Sequence, residues 1–486
     1  MRTATIIIRD EVNIKIEGLE LDARRALVTA FKYDVPYARY LPAVRLGRWD
    51  GKVSYFQLGG STYVNLLPEI IPILEKFNYD IEVDDQREYL TTFVFAKVNE
   101  DSYSHINWPK GHPAEGQPMK LRDYQVEIIN NFLTNAQCLQ EVDTGAGKTV
   151  MTAALSDAVS AYGRSIVIVP NKSLVTQTEK DYINMGLDVG VFFGDRKEFG
   201  RQHTICTWQS LNVLLKNTKN DSAEITIGEF IEGVVCVIVD EVHMAKADAL
   251  KTLLTGVMSR IPIRWGLTGT IPKEKFESVS LLVSLGPVIS KLSASELQSQ
   301  GVLAQCHVNI VQLEDHAEFT NYQSELKYLL EEPDRLKTIA DLIRQVNLTG
   351  NTLVLVDRIA AGQALVEQLT DAVFVSGATK AKDRQDEYDE VAVADGKIIV
   401  ATYGVAAVGI NIPRIFNLVL VEPGKSFVRV IQSIGRGIRK AEDKDHVQIW
   451  DVTSTCRFAK RHLTKRKVFY REANYPFTQE KLEWKK

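Results

Sequence analysis

Cys138-Leu139-Gln140-Glu141-Val142-Asp143-Thr144-Gly145-Ala146-Gly147-Lys148-Thr149 decides how the rest of this chain is read. A short apolar segment runs into a glycine-bearing turn, and a helical pattern opens at Lys148. Glycine lets backbone N–H groups approach a phosphate, and the start of a helix favours its negative charge. Lys148 can reach β- and γ-phosphates, and the Thr149 hydroxyl suits Mg²⁺. The P-loop pattern has Gly at its first position, where this chain has Val142. Beyond the turn, Met151, Ala154, Leu155, Ala158, Val159 and Tyr162 share one helical face, and Gly163 supplies a stop.

Working outward, short continuous apolar runs recur between helical patterns. They are Ser165–Val169, Thr204–Cys206, Val234–Val239, Leu353–Val356, Val373–Val375, Ile398–Ala401 and Leu418–Val421. Strands of a parallel sheet covered on both faces read this way. Two α/β blocks result, 119–295 and 296–455. Directly after Val234–Val239 stand Asp240-Glu241-Val242-His243. A carboxylate at the carboxyl end of a buried strand can hold the metal, here Asp240, and its neighbour Glu241 can polarise an attacking water. In the second block, Gln432-Ser433-Ile434-Gly435-Arg436-Gly437-Ile438-Arg439 places two arginines at i and i+3 on one helical face. Such a pair can act as arginine fingers on a charge-dispersed phosphoryl transition state.

Lys148, Asp240 and Arg436, in this order, resemble the superfamily 2 helicases and translocases. That resemblance covers roughly 120–455 and implies two tandem RecA-like parallel-sheet domains with ATP bound between them. Leu121-Arg122-Asp123-Tyr124-Gln125 is similar to the family's adenine-recognising segment, which makes Arg122 and Gln125 nucleotide contacts beside Thr144, Gly145, Ala146, Gly147, Lys148 and Thr149. Val169-Pro170-Asn171 and Thr207-Trp208-Gln209-Ser210 resemble strand-tracking motifs, and Thr268-Gly269-Thr270 the motif coupling hydrolysis to closure. Ala401-Thr402 through Gly409-Ile410-Asn411-Ile412-Pro413 resembles a further motif, in which Gly409, with Gln432, would meet nucleotide and Thr402 nucleic acid. The family often has an acid where this chain has Asn411.

Residues 1–98 read as a small α+β domain: Val12, Ile14 and Ile16 alternate with polar neighbours, and Lys52–Gln57 and Thr62–Leu66 flank Gly59-Gly60 as a hairpin would. Polar residues with Pro109, Gly111, Pro113 and Gly116 mark 99–118 as a linker. Within the first domain Arg39, Arg45, Arg48 and Lys52 alternate with Tyr37, Tyr40, Trp49 and Tyr55, a mixture that can hold phosphates and stack on bases. Leu46-Gly47-Arg48-Trp49-Asp50-Gly51-Lys52-Val53 resembles the UvsW-type phage recombination and branch-migration helicases. That likeness implies an ATP- and Mg²⁺-dependent DNA helicase remodelling branched DNA in recombination, repair and replication. Its partners would be single-stranded, forked and four-way-junction DNA and RNA–DNA hybrids, with no membrane and a monomeric translocating form.

The chain has 486 residues with a net charge of −4, which excludes a globally basic chromatin protein. Its 45% hydrophobic and 25% charged residues exclude a chain disordered throughout. Five scattered cysteines without a CxxC pair suit a reducing compartment, and no run is long enough to span a membrane. The expectation is a soluble cytoplasmic protein, in the host cytoplasm if phage-encoded. Residues 456–486 carry ten Lys or Arg against three Glu, a basic tail on an otherwise acidic chain. An RNA helicase and an ATP-gated nucleic-acid clamp stay open as alternatives at this level.

Overall fold

The computed structural model describes the chain except residues 1, 89–92, 111, 113, 221–224, 243–246, 371, 377–378, 380–387, 389, 392–393, 406–413, 425–443 and 485–486. It divides into two compact units. One comprises 1–142 and 147–291, the other 143–146 and 292–486.

The first unit opens with β1 (Arg2–Ile8), β2 (Asn13–Glu17), α1 (Leu21–Ala30), β3 (Ser61–Tyr63), α2 (Leu67–Lys76) and β4 (Tyr79–Asp85). The strands form a sheet in the order β3-β2-β1-β4. The turn at Gly60 is real, with φ 92° and no room for a Cβ, which would lie 2.2 Å from the Ile16 carbonyl oxygen. Its flanks nevertheless pair elsewhere: β3 lies on β2, and Lys52–Ser54 pairs with Lys32–Asp34. Register is set by the sheet's core face, which the turn signal alone does not encode.

The start of the expected linker packs on the rest of the first unit. Tyr103 is buried and donates to Asp157 Oδ2 at 3.1 Å, and the Val98 N–H donates to Asn130 Oδ1 at 2.9 Å. Then follow α3 (Asp123–Leu133), β5 (Gln137–Val142), α4 (Lys148–Val159), β6 (Arg164–Val169), α5 (Lys172–Asn184), β7 (Val189–Phe193), β8 (Arg196–Lys197), β9 (His203–Thr207), α6 (Trp208–Lys219), β10 (Val234–Asp240), α7 (Ala247–Thr255), β11 (Ile263–Thr268), α8 (Lys275–Leu285) and β12 (Val288–Leu292). The sheet order is β8-β7-β9-β6-β10-β11-β5-β12. The pairings β7–β9, β9–β6, β6–β10, β10–β11 and β11–β5 are all parallel. Every residue of β10 is buried, as a central strand with helices on both faces requires.

The N-terminal sheet is not an independent body. Its core, with Ile6, Ile16, Leu27, Tyr55 and Phe56, includes Val279 and Val283 of α8. The Tyr55 hydroxyl donates to the Phe276 carbonyl at 2.6 Å and lies 2.8 Å from Ser280 Oγ. Asn13 Nδ2 donates to the Thr255 carbonyl at 2.9 Å, and Gln137 Nε2 to that of Glu11 at 2.8 Å.

In the second unit β13 (Gln305–Leu313), α9 (Tyr322–Glu331), α10 (Pro333–Asn347), β14 (Thr352–Val356), β15 (Ala372–Val375), β16 (Ile398–Thr402), β17 (Asn417–Val421), β18 (His446–Ser454), α11 (Arg457–Glu472) and β19 (Phe477–Leu482) build an all-parallel sheet ordered β15-β16-β14-β17-β18-β13-β19. The expected basic tail is therefore structural. β19 completes the sheet edge on β13, and the buried guanidinium of Arg466 in α11 meets Asp451 with two bonds, 2.8 and 2.9 Å. Both units are thus two-faced parallel-sheet RecA-like blocks, with a small α+β domain on the first. No helix among the described residues is long and apolar enough to cross a membrane.

Candidate active site

β10, β11 and β5 are neighbours, so the loops leaving their carboxyl ends lie side by side. α4 begins after Gly147, whose φ of 80° is left-handed and suits glycine. Lys148, the first helical residue, donates from Nζ to Glu241 Oε1 at 2.6 Å and to the Val142 carbonyl at 3.3 Å. Val142 thus contributes its backbone where the P-loop pattern would place glycine. Glu241 follows β10 with φ 50°, a conformation that is strained for a residue with a Cβ. Its Oε2 accepts from the Gly269 N–H at 3.4 Å, which brings the Thr268-Gly269-Thr270 turn to the same carboxylate. Both members of the ion pair are nearly inaccessible, with side chains 8% and 7% exposed. Asp240 closes β10, and its Oδ1 accepts from the Glu241 N–H at 2.9 Å. Burial pushes the Asp240 carboxyl up to about 7, against the pull of Lys148 and with a push from Glu241.

A buried lysine held by a buried carboxylate is primed for exchange. A phosphate arriving at Lys148 competes with Glu241 for the ammonium, and a displaced carboxylate can accept a proton from water. Thr149 and Asp240 supply hard oxygen donors, which suit Mg²⁺ bound through few protein ligands and the substrate's phosphates. The Thr149 hydroxyl is hydrogen-bonded to Asp181 of α5, whose carboxyl is raised by burial and lowered by that bond. Asp181 carries no motif of its own, so only the packing of α5 on α4 reveals it.

Gln125 lies beside the loop: a Cβ on Gly147 would come within 2.6 Å of its Nε2. Its Oε1 accepts from the Arg122 N–H at 2.9 Å, and Arg122 Nη1 donates to the Tyr124 hydroxyl at 2.9 Å. Within the second unit, Gly145 has φ 89° and its Cβ position is taken by Leu303 Cδ2 at 2.7 Å. Thr144 and Ala146 are buried beside it, and Asp143 accepts from the Thr144 and Ala294 N–H groups.

At the same edge of the first unit's motor sheet, the neighbouring strands β6 and β9 run out into Pro170-Asn171 and Thr207-Trp208-Gln209. Asn171 caps α5 and Thr207 caps α6 through their side-chain oxygens, so two helix N-termini open together. Gln209 Nε2 donates to the Pro170 carbonyl at 3.3 Å and ties the two loops. Trp208 is half-buried on the motor core. Thr402 ends β16 in the second unit, half-exposed.

The basic–aromatic segment divides by role. Arg39, Arg45, Arg48 and Lys52 are exposed, with Tyr37, Tyr40 and Leu46 at 49%, 60% and 64% exposure among them. Tyr55, expected in this patch, is instead core. Trp49 is half-buried in a small cluster with Val35, Ala38 and Phe276, its Nε1 donating to the Lys52 carbonyl at 2.9 Å. Phe276 is the second residue of α8, so the patch is anchored on the helix that follows β11 in the chain. The expected positions His243, Gly409, Asn411, Gln432, Arg436 and Arg439 lie outside the described residues.

Two family models match the chain: "Type III restriction enzyme, res subunit" over residues 118–273 and "Helicase conserved C-terminal domain" over 334–441, together more than half of it. The chain is 24% identical over 451 residues to the ATP-dependent DNA helicase uvsW of Enterobacteria phage T4, covering 88% of this chain and 86% of that one. It is 24% identical over 371 residues to the DNA 3'-5' helicase XPB of Kineococcus radiotolerans, covering 74% and 64%. Among solved structures, the ATP-dependent Type ISP restriction-modification enzyme LlaBIII bound to DNA shares the fold at a TM-score of 0.55 and 16% identity, covering 83% of this chain and 33% of that one. The Mycobacterium smegmatis helicase Lhr bound to ssDNA and AMP-PNP does so at 0.51 and 18%, covering 72% and 47%.

Proposed function

This chain belongs to the superfamily 2 helicases and is an ATP-dependent helicase; on that premise we propose that it tracks along DNA and remodels branched DNA such as forks and four-way junctions. In this reading Lys148 leaves Glu241 for the γ-phosphate, and the freed carboxylate orients and deprotonates the attacking water. Thr149 and Asp240 would hold Mg²⁺, which would supply neutralisation of the phosphate charge there. Gln125 and Arg122 recognise the adenine, Gly409 and Gln432 make further nucleotide contacts, and Arg436 and Arg439 act as arginine fingers. The paired helix starts behind Asn171 and Thr207 take the phosphates of one strand, as a motor indifferent to sequence requires. Thr402 contributes from the second block.

One observation carries the branched-substrate reading: the exposed Arg39, Arg45 and Arg48 patch is anchored through Phe276 to the start of α8, the helix that follows the motor sheet's carboxyl edge at β11, on a domain that shares the motor's core. A strand drawn along that edge is drawn past a fixed arm bearing aromatic wedges and phosphate-binding cations.

ATP hydrolysis measured with single-stranded DNA, a fork, a four-way junction and single-stranded RNA tests it. Forked and four-way DNA should activate most, and Arg39→Gln/Arg45→Gln/Arg48→Gln should lose that excess while keeping activation by single strands. Stronger activation by RNA than by any DNA would reject the assignment.

A further inference from the structure

Helix α11 turns two different faces outward and inward. Arg457, Lys460, Arg461 and Lys465 are all exposed, and their spacing of three, four and eight residues puts them on one side. Among the described residues no carboxylate pairs with any of the four, and the helix's own first acid is Glu472, its last residue. This charge works against the helix. Arg457 with Arg461, and Arg461 with Lys465, are like-charge pairs at i,i+4, and the cations near its start oppose the positive end of the dipole. The Arg457 and Arg461 guanidinium carbons lie 5.7 and 6.0 Å from the ring centre of half-buried Phe458, and the Tyr322 ring stands 6.3 Å from the same ring.

The inner face fixes this row in place. Besides its two bonds to Asp451, Arg466 donates to the Gly424 carbonyl at 2.7 Å. The Tyr470 hydroxyl donates to Asp451 Oδ2 at 2.7 Å. Glu325 accepts from the Phe458 and Ala459 N–H groups at 3.0 and 2.7 Å, tying down the helix start. That start follows the carboxyl end of β18, the edge at which open α/β sheets bind ligands.

We propose that the outer face of α11 is a built binding surface for the DNA phosphodiester backbone, with Arg457, Lys460, Arg461 and Lys465 each taking a phosphate. The proposal rests on the reading that the chain acts on DNA, and it adds to the second unit a contact that no motif of the motor provides. The row is a preorganised, sequence-indifferent electrostatic contact on the rigid side of a helix.

The test is equilibrium binding of the full chain to single-stranded and duplex DNA across a salt series. Glutamine at all four positions keeps helix propensity and relieves repulsion, so the variant should melt at or above the wild-type temperature. Its log–log salt slope on duplex should fall by about 3 to 4, with Lys460→Gln and Arg461→Gln alone each losing about 1. Affinity at low salt should drop at least about tenfold on the same grounds. Wild-type protein that binds DNA with a slope the single and fourfold variants leave unchanged overturns this assignment alone. Wild-type protein that hydrolyses ATP yet binds no DNA overturns the DNA reading with it.

Discussion

Lys148 and Glu241 were legible as motif residues because a phosphate cradle and a strand-end acid leave contiguous signatures. Their mutual ion pair was not, since 92 intervening residues hide it and only the order of β5, β11 and β10 brings them together. Under the proposed mechanism that pair gives Glu241 two duties, counter-ion to Lys148 without nucleotide and water activator with it. Glu241→Gln should keep ATP affinity and slow single-turnover hydrolysis by about 10²–10⁴-fold. Collapsed affinity with undiminished chemistry would show that the two acidic roles are exchanged. A second residue-scale consequence lies away from the site. His203 is buried, its ring between Ser165 Oγ at 2.7 Å and Ser160 Oγ at 3.2 Å, and burial holds it down at about 4. Because the folded value lies below the ordinary 6.5, its contribution is present above pH 6.5 and is lost as pH falls toward 4. That loss amounts to about 3 kcal/mol. Urea midpoints of wild type and His203→Gln should converge across that window, and a constant difference would contradict the neutral buried imidazole.

All seven apolar runs are strands, because a strand covered on both faces must be apolar throughout. β11 and β19 escaped for opposite reasons. β11 carries Arg264, which reads as exposed yet is fully buried, its guanidinium donating to the carbonyls of Leu254, Met258, Ile261 and Ser284. β19 is an edge strand of mostly exposed polar residues, so it has no buried period to read. The alternation through Val12, Ile14 and Ile16 marked a strand of the small domain, but the domain's dependence on α8 was not legible, since Val279 and Val283 look like ordinary core of their own helix. Removing residues 1–98 should therefore expose that apolar face and give a chain that aggregates or melts well below full length. A soluble truncation with the full-length melting temperature would show that the shared core contributes little.

Across the whole molecule, each unit leaves a glutamate in a left-handed conformation after a central strand: Glu241 with φ 50° and Glu422 with φ 44°. In the first unit the acid faces the P-loop lysine. In the second it is locked by Arg335 at 2.7 Å, and burial raises it to about 7. The same strand-end position thus faces the P-loop lysine in one block and is locked by a buried arginine in the other, where Arg436 and Arg439 follow 14 and 17 residues after Glu422 in sequence. Alanine at the dominant one of these arginines should lower turnover by about 10³-fold or more with little change in nucleotide binding. Normal turnover in both single variants would place the fingers elsewhere. The central claim, that hydrolysis at Lys148 and Glu241 drives remodelling of branched DNA, is tested most directly by one measurement: resolution of a synthetic four-way junction into duplex arms, followed in real time with ATP. Full-length protein should resolve the junction with ATP, and neither Lys148→Ala with ATP nor wild type with a non-hydrolysable analogue should do so. Junction resolution by Lys148→Ala, or a wild-type enzyme that hydrolyses ATP on the junction and leaves it intact, would contradict the account.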